Sequence, residues 1–193
     1  MMPELQTPAA DTQGWMPLTQ QRVFRQLMNA FAYPGRIEPL CPGADAQGAL
    51  TRILATLLDG EVSLADLDAQ VSPLGWARLE VRRDVPERSN FVLARGDRAP
   101  DFQPRLGTLE SPEGGATVLV RVGALGRGGE LRLSGPGIRG ERRMAVTGLD
   151  PAWIEARSQW NGAFPMGVDL ILVDDRQLAA LPRTTRIHTE GAR

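Results

Sequence analysis

The stretch FPMGVDLILVDDRQLAALPRTTR, residues 164–186, decides the fold of this chain. It predicts a β-hairpin in which residues 168–173 form one strand and residues 178–181 form the returning strand. Nearly every residue of the first strand is apolar, a pattern typical of a strand that is buried on both faces of its sheet. Pro182 ends the second strand, because proline has no backbone N–H to donate to a ladder.

One acidic residue, Asp169, interrupts this apolar strand. Burial of a carboxylate is costly unless it is paired, so we expect Asp169 to accept hydrogen bonds from a nearby arginine or from backbone donors.

A polar group, Arg183-Thr184-Thr185-Arg186, follows the hairpin directly. It could bind a phosphate group, since arginine offers a bidentate fork of donors and threonine offers a hydroxyl. It could equally be a structural clamp whose arginine holds strand ends or an interface together. The sequence leaves both interpretations open.

The composition is that of an ordinary soluble protein: of 193 residues, 42% are hydrophobic and 23% are charged, and the net charge is −1. No global basic field exists that would attract nucleic acid or an anionic membrane. The first residues carry neither a basic segment nor an apolar run, and no apolar run elsewhere approaches the length of a membrane span. We therefore expect a cytoplasmic protein with no nucleic-acid or membrane partner.

The chain contains no lysine, because all 22 basic residues are arginine. A nucleotide-binding P-loop and a pyridoxal phosphate Schiff base both require a lysine, so both are excluded. Cys41 and His188 are the only cysteine and histidine, which excludes a structural zinc site built from such ligands. These two residues could form a nucleophilic pair, but nothing in the sequence brings them together, and the sequence identifies no catalytic residue.

The order of predicted elements is helix, strand, helix, strand, helix, strand, hairpin, helix, hairpin, which favours an α/β fold with a mixed sheet. We expect a flexible segment over residues 1–14 and a single domain over residues 15–193. The predicted helices cover residues 20–32, 46–59, 74–83 and 151–160, and the predicted single strands cover residues 37–40, 62–64 and 89–94.

Two details of this pattern make specific predictions. The first helix has one apolar face, formed by Val23, Phe24, Leu27, Met28 and Phe31. The glycine-rich residues 126–129 predict a second hairpin, between residues 116–125 and residues 130–134.

A glycine motif, GPGIRG at residues 135–140, matches the pattern of a dinucleotide-binding loop. That loop requires a parallel strand before it, whereas the hairpin predicted here makes the preceding strand antiparallel. We therefore interpret the motif as a turn with positive φ angles. The pair Asp174-Asp175 is likewise interpreted as solvated turn residues rather than as a metal site.

Four blocks of sequence are similar to the PhnH family of the bacterial carbon–phosphorus (C-P) lyase system, and the resemblance spans nearly the whole chain. The blocks are Phe24-Arg25-x-Leu27-Met28-x-Ala30 with Pro34-Gly35; Pro112-Glu113-x-Gly115-Ala116-Thr117; Leu131-Arg132-Leu133-x-Gly135-x-Gly137-Ile138; and Phe164-Pro165-x-Gly167-x-Asp169-Leu170-Ile171-Leu172 with Leu181-Pro182-Arg183-Thr184-Thr185. The candidate anion or interface cluster is taken from these blocks and comprises Asp169, Arg183, Thr184, Thr185 and Arg25.

The resemblance implies a fold and a setting that composition alone does not show. The implied fold is similar to the large domain of pyridoxal-phosphate-dependent transferases, without the cofactor. The implied setting is a core complex with PhnG-, PhnI- and PhnJ-like subunits, in which PhnH is a homodimer or is present in two copies. That complex attaches an alkylphosphonate to the ribose of ATP with loss of adenine, before the C–P bond is cleaved. These steps are associated with PhnI and PhnJ respectively, whereas PhnH is required without an assigned chemistry.

Two hypotheses follow. The first is a structural or docking subunit, without chemistry of its own, of this alpha-D-ribose 1-methylphosphonate 5-triphosphate synthase complex. The second is an enzyme subunit whose arginine and threonine cluster binds a phosphonate or a nucleotide phosphate.

Overall fold

The structure is a computed structural model that describes residues 15–40 and 48–188. The segment 1–14, Cys41 and the predicted start of the second helix lie outside the described residues. The described helices are α1 (Pro17–Ala32), α2 (Ala49–Leu57), α3 (Pro73–Leu79) and α4 (Ala152–Trp160). The strands are β1 (Glu38–Pro39), β2 (Ser63–Asp66), β3 (Arg82–Arg83), β4 (Phe91–Arg95), β5 (Thr117–Arg121), β6 (Ala124–Ser134), β7 (Arg142–Thr147), β8 (Asp169–Val173), β9 (Gln177–Leu181) and β10 (Arg186–His188).

A seven-stranded mixed sheet forms the centre of the molecule, with the strand order β1-β9-β8-β5-β4-β2-β3. Strands β3, β2, β4, β5 and β8 are parallel, whereas β9 is antiparallel to both β8 and β1. The predicted α/β fold with a mixed sheet is therefore confirmed.

The predicted hairpin of residues 164–186 lies inside this sheet as β8 and β9, where Leu170 pairs with Leu181 and Val173 pairs with Leu178. Its alternating residues belong to two separate cores. Leu170 and Leu181 face the core that holds α4, and Ile171 faces the core that holds α1, α2 and α3. The hairpin is thus buried on both faces, as its apolar sequence predicts.

The second predicted hairpin is wrong. Residues 117–121 form β5 in the central sheet, and β6 is one long strand that pairs with β7 and β10 in a separate antiparallel sheet. Gly126 and Gly128 do have positive φ angles, but they produce an irregular register between Leu125 and Gly129 instead of a chain reversal. The glycines therefore bend β6 as a β-bulge does.

The motif at residues 135–140 lies between the antiparallel strands β6 and β7. Gly135, Gly137 and Gly140 have φ angles of 126°, 80° and 72°. The interpretation as a turn is confirmed, and the true hairpin is β6–β7.

Helix α1 begins at Pro17, three residues before the predicted start, with Met16 at the N-cap. Its predicted apolar face is only partly correct. The buried stripe is Val23, Leu27 and Ala30, whereas Phe24 and Met28 are 52% and 56% exposed. Each of the two follows a buried residue, Val23 or Leu27, and is rotated about 100° from it around the helix axis, so it points away from the sheet.

The remaining helices differ from the predictions mainly at their ends. Helix α3 stops at Leu79, and Arg82–Arg83 forms the edge strand β3 because it pairs with β2. Helix α4 is close to its predicted span, with the Asp150 side chain accepting a hydrogen bond from the Ala152 N–H at 2.9 Å. No helix in the described part of the chain is long and apolar enough to cross a membrane.

Candidate functional site

The candidate site lies at the amino-terminal edge of the parallel strands, where β8 begins and β9 ends. Asp169 and Arg183 form an ion pair there, with 2.9 Å between Nη2 and Oδ2. The backbone N–H of Arg183 also donates to Oδ1 of Asp169, at 2.7 Å. The hypothesis that Asp169 is paired with an arginine and with a backbone donor is therefore confirmed.

The guanidinium of Arg183 also holds two loops. Its Nη1 donates to the carbonyl of Pro112 at 2.7 Å and to that of Pro165 at 3.3 Å. Gly115 makes room for this arrangement, because a Cβ atom there would lie 2.1 Å from the carbonyl oxygen of Gly167 and 3.1 Å from the guanidinium nitrogens. Nη1, Nη2 and Nε of Arg183 are thus all engaged by protein acceptors, which is the geometry of a clamp.

The other members of the predicted cluster separate. Thr184 is exposed, while Thr185 is buried at 2% exposure and its hydroxyl has no hydrogen-bond partner among the described residues. Arg25 is exposed on α1, and within the described chain no hydrogen bond or ion pair joins it to Asp169 or Arg183. The structure therefore brings Asp169, Arg183 and Thr185 together and leaves Arg25 apart.

A second arginine, Arg157 of α4, completes the site, and the sequence analysis missed it. Its side chain is buried at 4% exposure, and Nη2 donates to the carbonyl of Pro182 at 2.6 Å. No carboxylate among the described residues lies within ion-pair distance of it. Burial lowers the pKa of Arg157 to about 10, although the negative charge of Asp169 acts in the opposite direction. The side chain is therefore still cationic at neutral pH.

The sequence does contain a signal for Arg157. Trp153, Arg157 and Trp160 recur at the spacing of one helical face, and all three are buried in the structure. An arginine in an otherwise aromatic stripe marks a buried cation, just as Asp169 marks a half-buried anion in its apolar strand.

A cleft of about 550 Å³ lies between α4 and the segment after β9. Among the described residues, three arginines line it, Arg157, Arg183 and Arg186, against one carboxylate, that of Glu155. Beneath its surface lie three donor atoms that have no acceptor among the described residues, namely Nε of Arg157, Nδ2 of Asn161 and the hydroxyl of Thr185. The cleft therefore combines an excess of positive charge with unused hydrogen-bond donors.

A larger cleft, of about 720 Å³, lies at the opposite edge of the sheet, where β2, β4 and β5 end. The strand order reverses there, because β3 lies on one side of β2 and β4 on the other, and open α/β sheets usually bind ligands at such a point. The amide of Gln70, in its wall, has no partner among the described residues.

The charges of this larger cleft nevertheless cancel one another. Arg95 pairs with Asp97, and the neighbouring Arg98 pairs with Asp68 at 2.7 Å. Its electrostatics therefore favour an anion less than those of the cleft beside Arg157, whose charge has no such partner.

Two residues singled out in the sequence, Asp174 and His188, lie away from these clefts or make ordinary contacts. Asp174 is not a solvated turn residue: it is buried, and it accepts hydrogen bonds from the N–H groups of Leu125, Arg176 and Gln177 at 2.8–2.9 Å. His188 contacts Ser134, with 2.8 Å between Nε2 and Oγ, while Cys41 lies outside the described residues.

Comparison with known proteins gives a family match. The model of a family described as bacterial phosphonate metabolism protein (PhnH) matches residues 13–188. A protein of Stutzerimonas stutzeri named C-P lyase subunit HtxG is 51% identical over 178 residues, which cover 92% of this chain and 90% of that protein. The alpha-D-ribose 1-methylphosphonate 5-triphosphate synthase subunit PhnH of Rhizobium meliloti (strain 1021) is 33% identical over 182 residues, with 88% and 90% covered. The family resemblance carried by the four sequence blocks is therefore confirmed, and this chain belongs to the PhnH family of bacterial phosphonate metabolism proteins.

Proposed function

We propose that this chain is the PhnH-type subunit of a C-P lyase core complex and that its role is structural, in docking other subunits. The observation that carries the proposal is the match along nearly the whole chain to two relatives that are both named as subunits. The partners are PhnG-, PhnI- and PhnJ-like subunits, and the chain is a homodimer or is present in two copies in the cytoplasmic complex. We propose a single domain that begins at residue 15.

The surface of α1 supports a docking role. Phe24 and Met28 are four residues apart, so they lie side by side on one exposed face, with Arg25 next to them. Large apolar side chains that are exposed together on a helix are suited to burial against a partner. Arg25 is accordingly assigned to this interface and not to the anion site.

Co-purification tests the proposal. The full chain, expressed with tagged PhnG-, PhnI- and PhnJ-like subunits of the same organism, is expected to elute with them in one complex during size-exclusion chromatography. A chain that elutes alone while the other subunits assemble would contradict the assignment.

The clamp geometry weighs against the hypothesis that Arg183 itself binds a phosphonate or a nucleotide phosphate, because its donors already have acceptors in the protein. If the hypothesis were correct, Arg183→Ala would abolish binding of ATP or methylphosphonate while the chain stayed folded. We expect it to unfold the chain locally instead.

We also propose that the fold is related to the large domain of pyridoxal-phosphate-dependent transferases. The mixed seven-stranded sheet covered by helices supports this relation. The cofactor itself does not fit, because its Schiff base needs a lysine and the chain has none.

A further inference from the structure

We propose that the cleft between α4 and the segment after β9 binds a phosphonate or phosphate group through Arg157, Asn161 and Thr185. This site differs from the one expected from sequence, which was centred on Arg183. It does not depend on how the chain assembles with other subunits.

Three hydrogen-bond donors beneath the cleft have no acceptor among the described residues. Arg157 and Thr185 are 4% and 2% exposed, and Nε of the one and the hydroxyl of the other have no hydrogen-bond partner among the described residues. Nδ2 of Asn161 likewise has no hydrogen-bond partner among the described residues, although its Oδ1 accepts a hydrogen bond from the N–H of Val168 at 2.7 Å. A buried donor without an acceptor destabilises the folded state, so three of them beneath one cleft indicate that an acceptor from outside the chain binds there.

Arg157 also lacks an ion-pair partner among the described residues. A buried guanidinium normally has a carboxylate beside it, whereas Arg157 donates to the carbonyls of Leu181 and Pro182 and feels the charge of Asp169 only from beyond ion-pair distance. Arg183 is already neutralised by Asp169, and Arg186 adds a further positive charge at the rim. An anion in the cleft would supply the missing partner of Arg157.

The donors are of three chemical kinds. A guanidinium and an amide N–H₂ lie one turn apart at the end of α4, and a hydroxyl comes from the segment after β9. A tetrahedral oxyanion has acceptor oxygens that point in several directions, whereas the oxygens of a carboxylate lie in one plane. A cleft of about 550 Å³ also leaves room for a substituent on the phosphorus. The three donor atoms lie just beneath the surface, so binding requires a small rearrangement of the lining.

Two nearly isosteric variants test the site without removing Arg157. Asn161→Asp keeps the acceptor for the Val168 N–H but replaces the free N–H₂ group with a negatively charged oxygen. Thr185→Val removes a hydroxyl that makes no hydrogen bond in the described structure, so it should leave the fold intact. Arg139→Gln, at an exposed residue outside the cleft lining, is the matched control because it makes the same change in net charge as Asn161→Asp.

Binding is measured by calorimetry or NMR titration of the isolated full chain with inorganic phosphate, methylphosphonate, ATP and acetate. We expect phosphate or methylphosphonate to bind with a Kd of roughly 1 mM or below, and both site variants to weaken binding about tenfold or more. Arg139→Gln should change the Kd by less than about twofold. If methylphosphonate binds more tightly than phosphate, the ligand is a phosphonate; if ATP binds more tightly, the ligand is a nucleotide phosphate. Either result supports the site.

Three outcomes would overturn the proposal. They are no binding of any phosphorus oxyanion to the folded chain, equal binding of acetate, or unchanged binding in both site variants. Circular dichroism and the Tm of each variant verify that it is folded, and if Asn161→Asp fails this control, Thr185→Val alone decides.

Discussion

At the scale of single residues, the organising contact is the ion pair between Asp169 and Arg183. It joins the start of β8 to the end of β9, and the same guanidinium holds the carbonyls of Pro112 and Pro165. This side chain thus joins the second and fourth of the sequence blocks that carry the family resemblance. Gly135 of the third block packs next to it, against the carbonyl of Thr184.

Asp169→Asn should lower the free energy of unfolding by about 2–3 kcal/mol, because it leaves a partly buried guanidinium without its counter-ion. Urea denaturation measures the change. Asp175→Asn is the matched control, because it breaks an ion pair with Arg121 in which the acid is 82% exposed, and it should have no measurable effect. Equal stability of the two variants would contradict the clamp.

Gly115→Ala should be destabilising by about 1–3 kcal/mol, because its methyl group would lie 2.1 Å from the backbone oxygen of Gly167. Gly129→Ala is the control: its Cβ would have only one atom within 4 Å, the Val146 oxygen at 3.9 Å, so its stability should be unchanged or slightly higher. The measurement is the midpoint of urea denaturation. A Gly115 variant as stable as the wild type would show that the two loops are not closely packed.

At the scale of elements, the β6–β7 hairpin packs against the end of α1. Arg142 donates to the carbonyls of Tyr33 and Pro34, each at 3.1 Å. A Cβ atom on Gly35 would lie 2.3 Å from the Leu133 side chain. The antiparallel sheet is therefore attached to the first helix through the turn that ends it.

Substitutions at two glycines of the β6–β7 loop can distinguish the cost of backbone strain from the cost of lost packing against α1. Gly137 and Gly140 both have positive φ angles, but a Cβ atom on Gly137 would lie 2.2 Å from the carbonyl oxygen of Ala32, whereas nothing lies within 4 Å of one on Gly140. Gly137→Ala should therefore lower the Tm clearly more than Gly140→Ala, whose cost is the strained φ alone, about 1–2 kcal/mol. Equal losses in thermal denaturation would mean that the loop does not rest on α1.

At the scale of the whole molecule, the two faces of the central sheet have different roles. One face is covered by α1, α2 and α3, and the outer side of α1 exposes the apolar side chains of Phe24 and Met28. The other face is covered by α4, whose buried Arg157 lines the cleft proposed to bind an anion. Assembly and anion binding are therefore assigned to separate surfaces.

Phe24→Glu combined with Met28→Glu should abolish co-elution with the partner subunits and leave the Tm nearly unchanged, because both side chains are exposed in the isolated chain. Size-exclusion chromatography of the co-expressed subunits measures the effect. Leu109→Glu, at a residue that is 69% exposed in a loop, is the control and should still assemble. If the double variant also co-elutes, the docking surface lies elsewhere.

The sequence by itself determined the class of fold, the β8–β9 hairpin and the pairing of Asp169, because apolar runs and a lone buried charge are local signals. The absence of lysine also excluded a nucleotide-binding P-loop and a pyridoxal phosphate Schiff base. Which strands pair was decided only by the tertiary structure. β5 and β6 are neighbours in sequence but belong to different sheets, and Gly126 and Gly128, which lie within β6, bend that strand instead of reversing the chain. The same holds for the site, because Arg157, Asn161 and Thr185 come together only when α4 packs beside the end of β9.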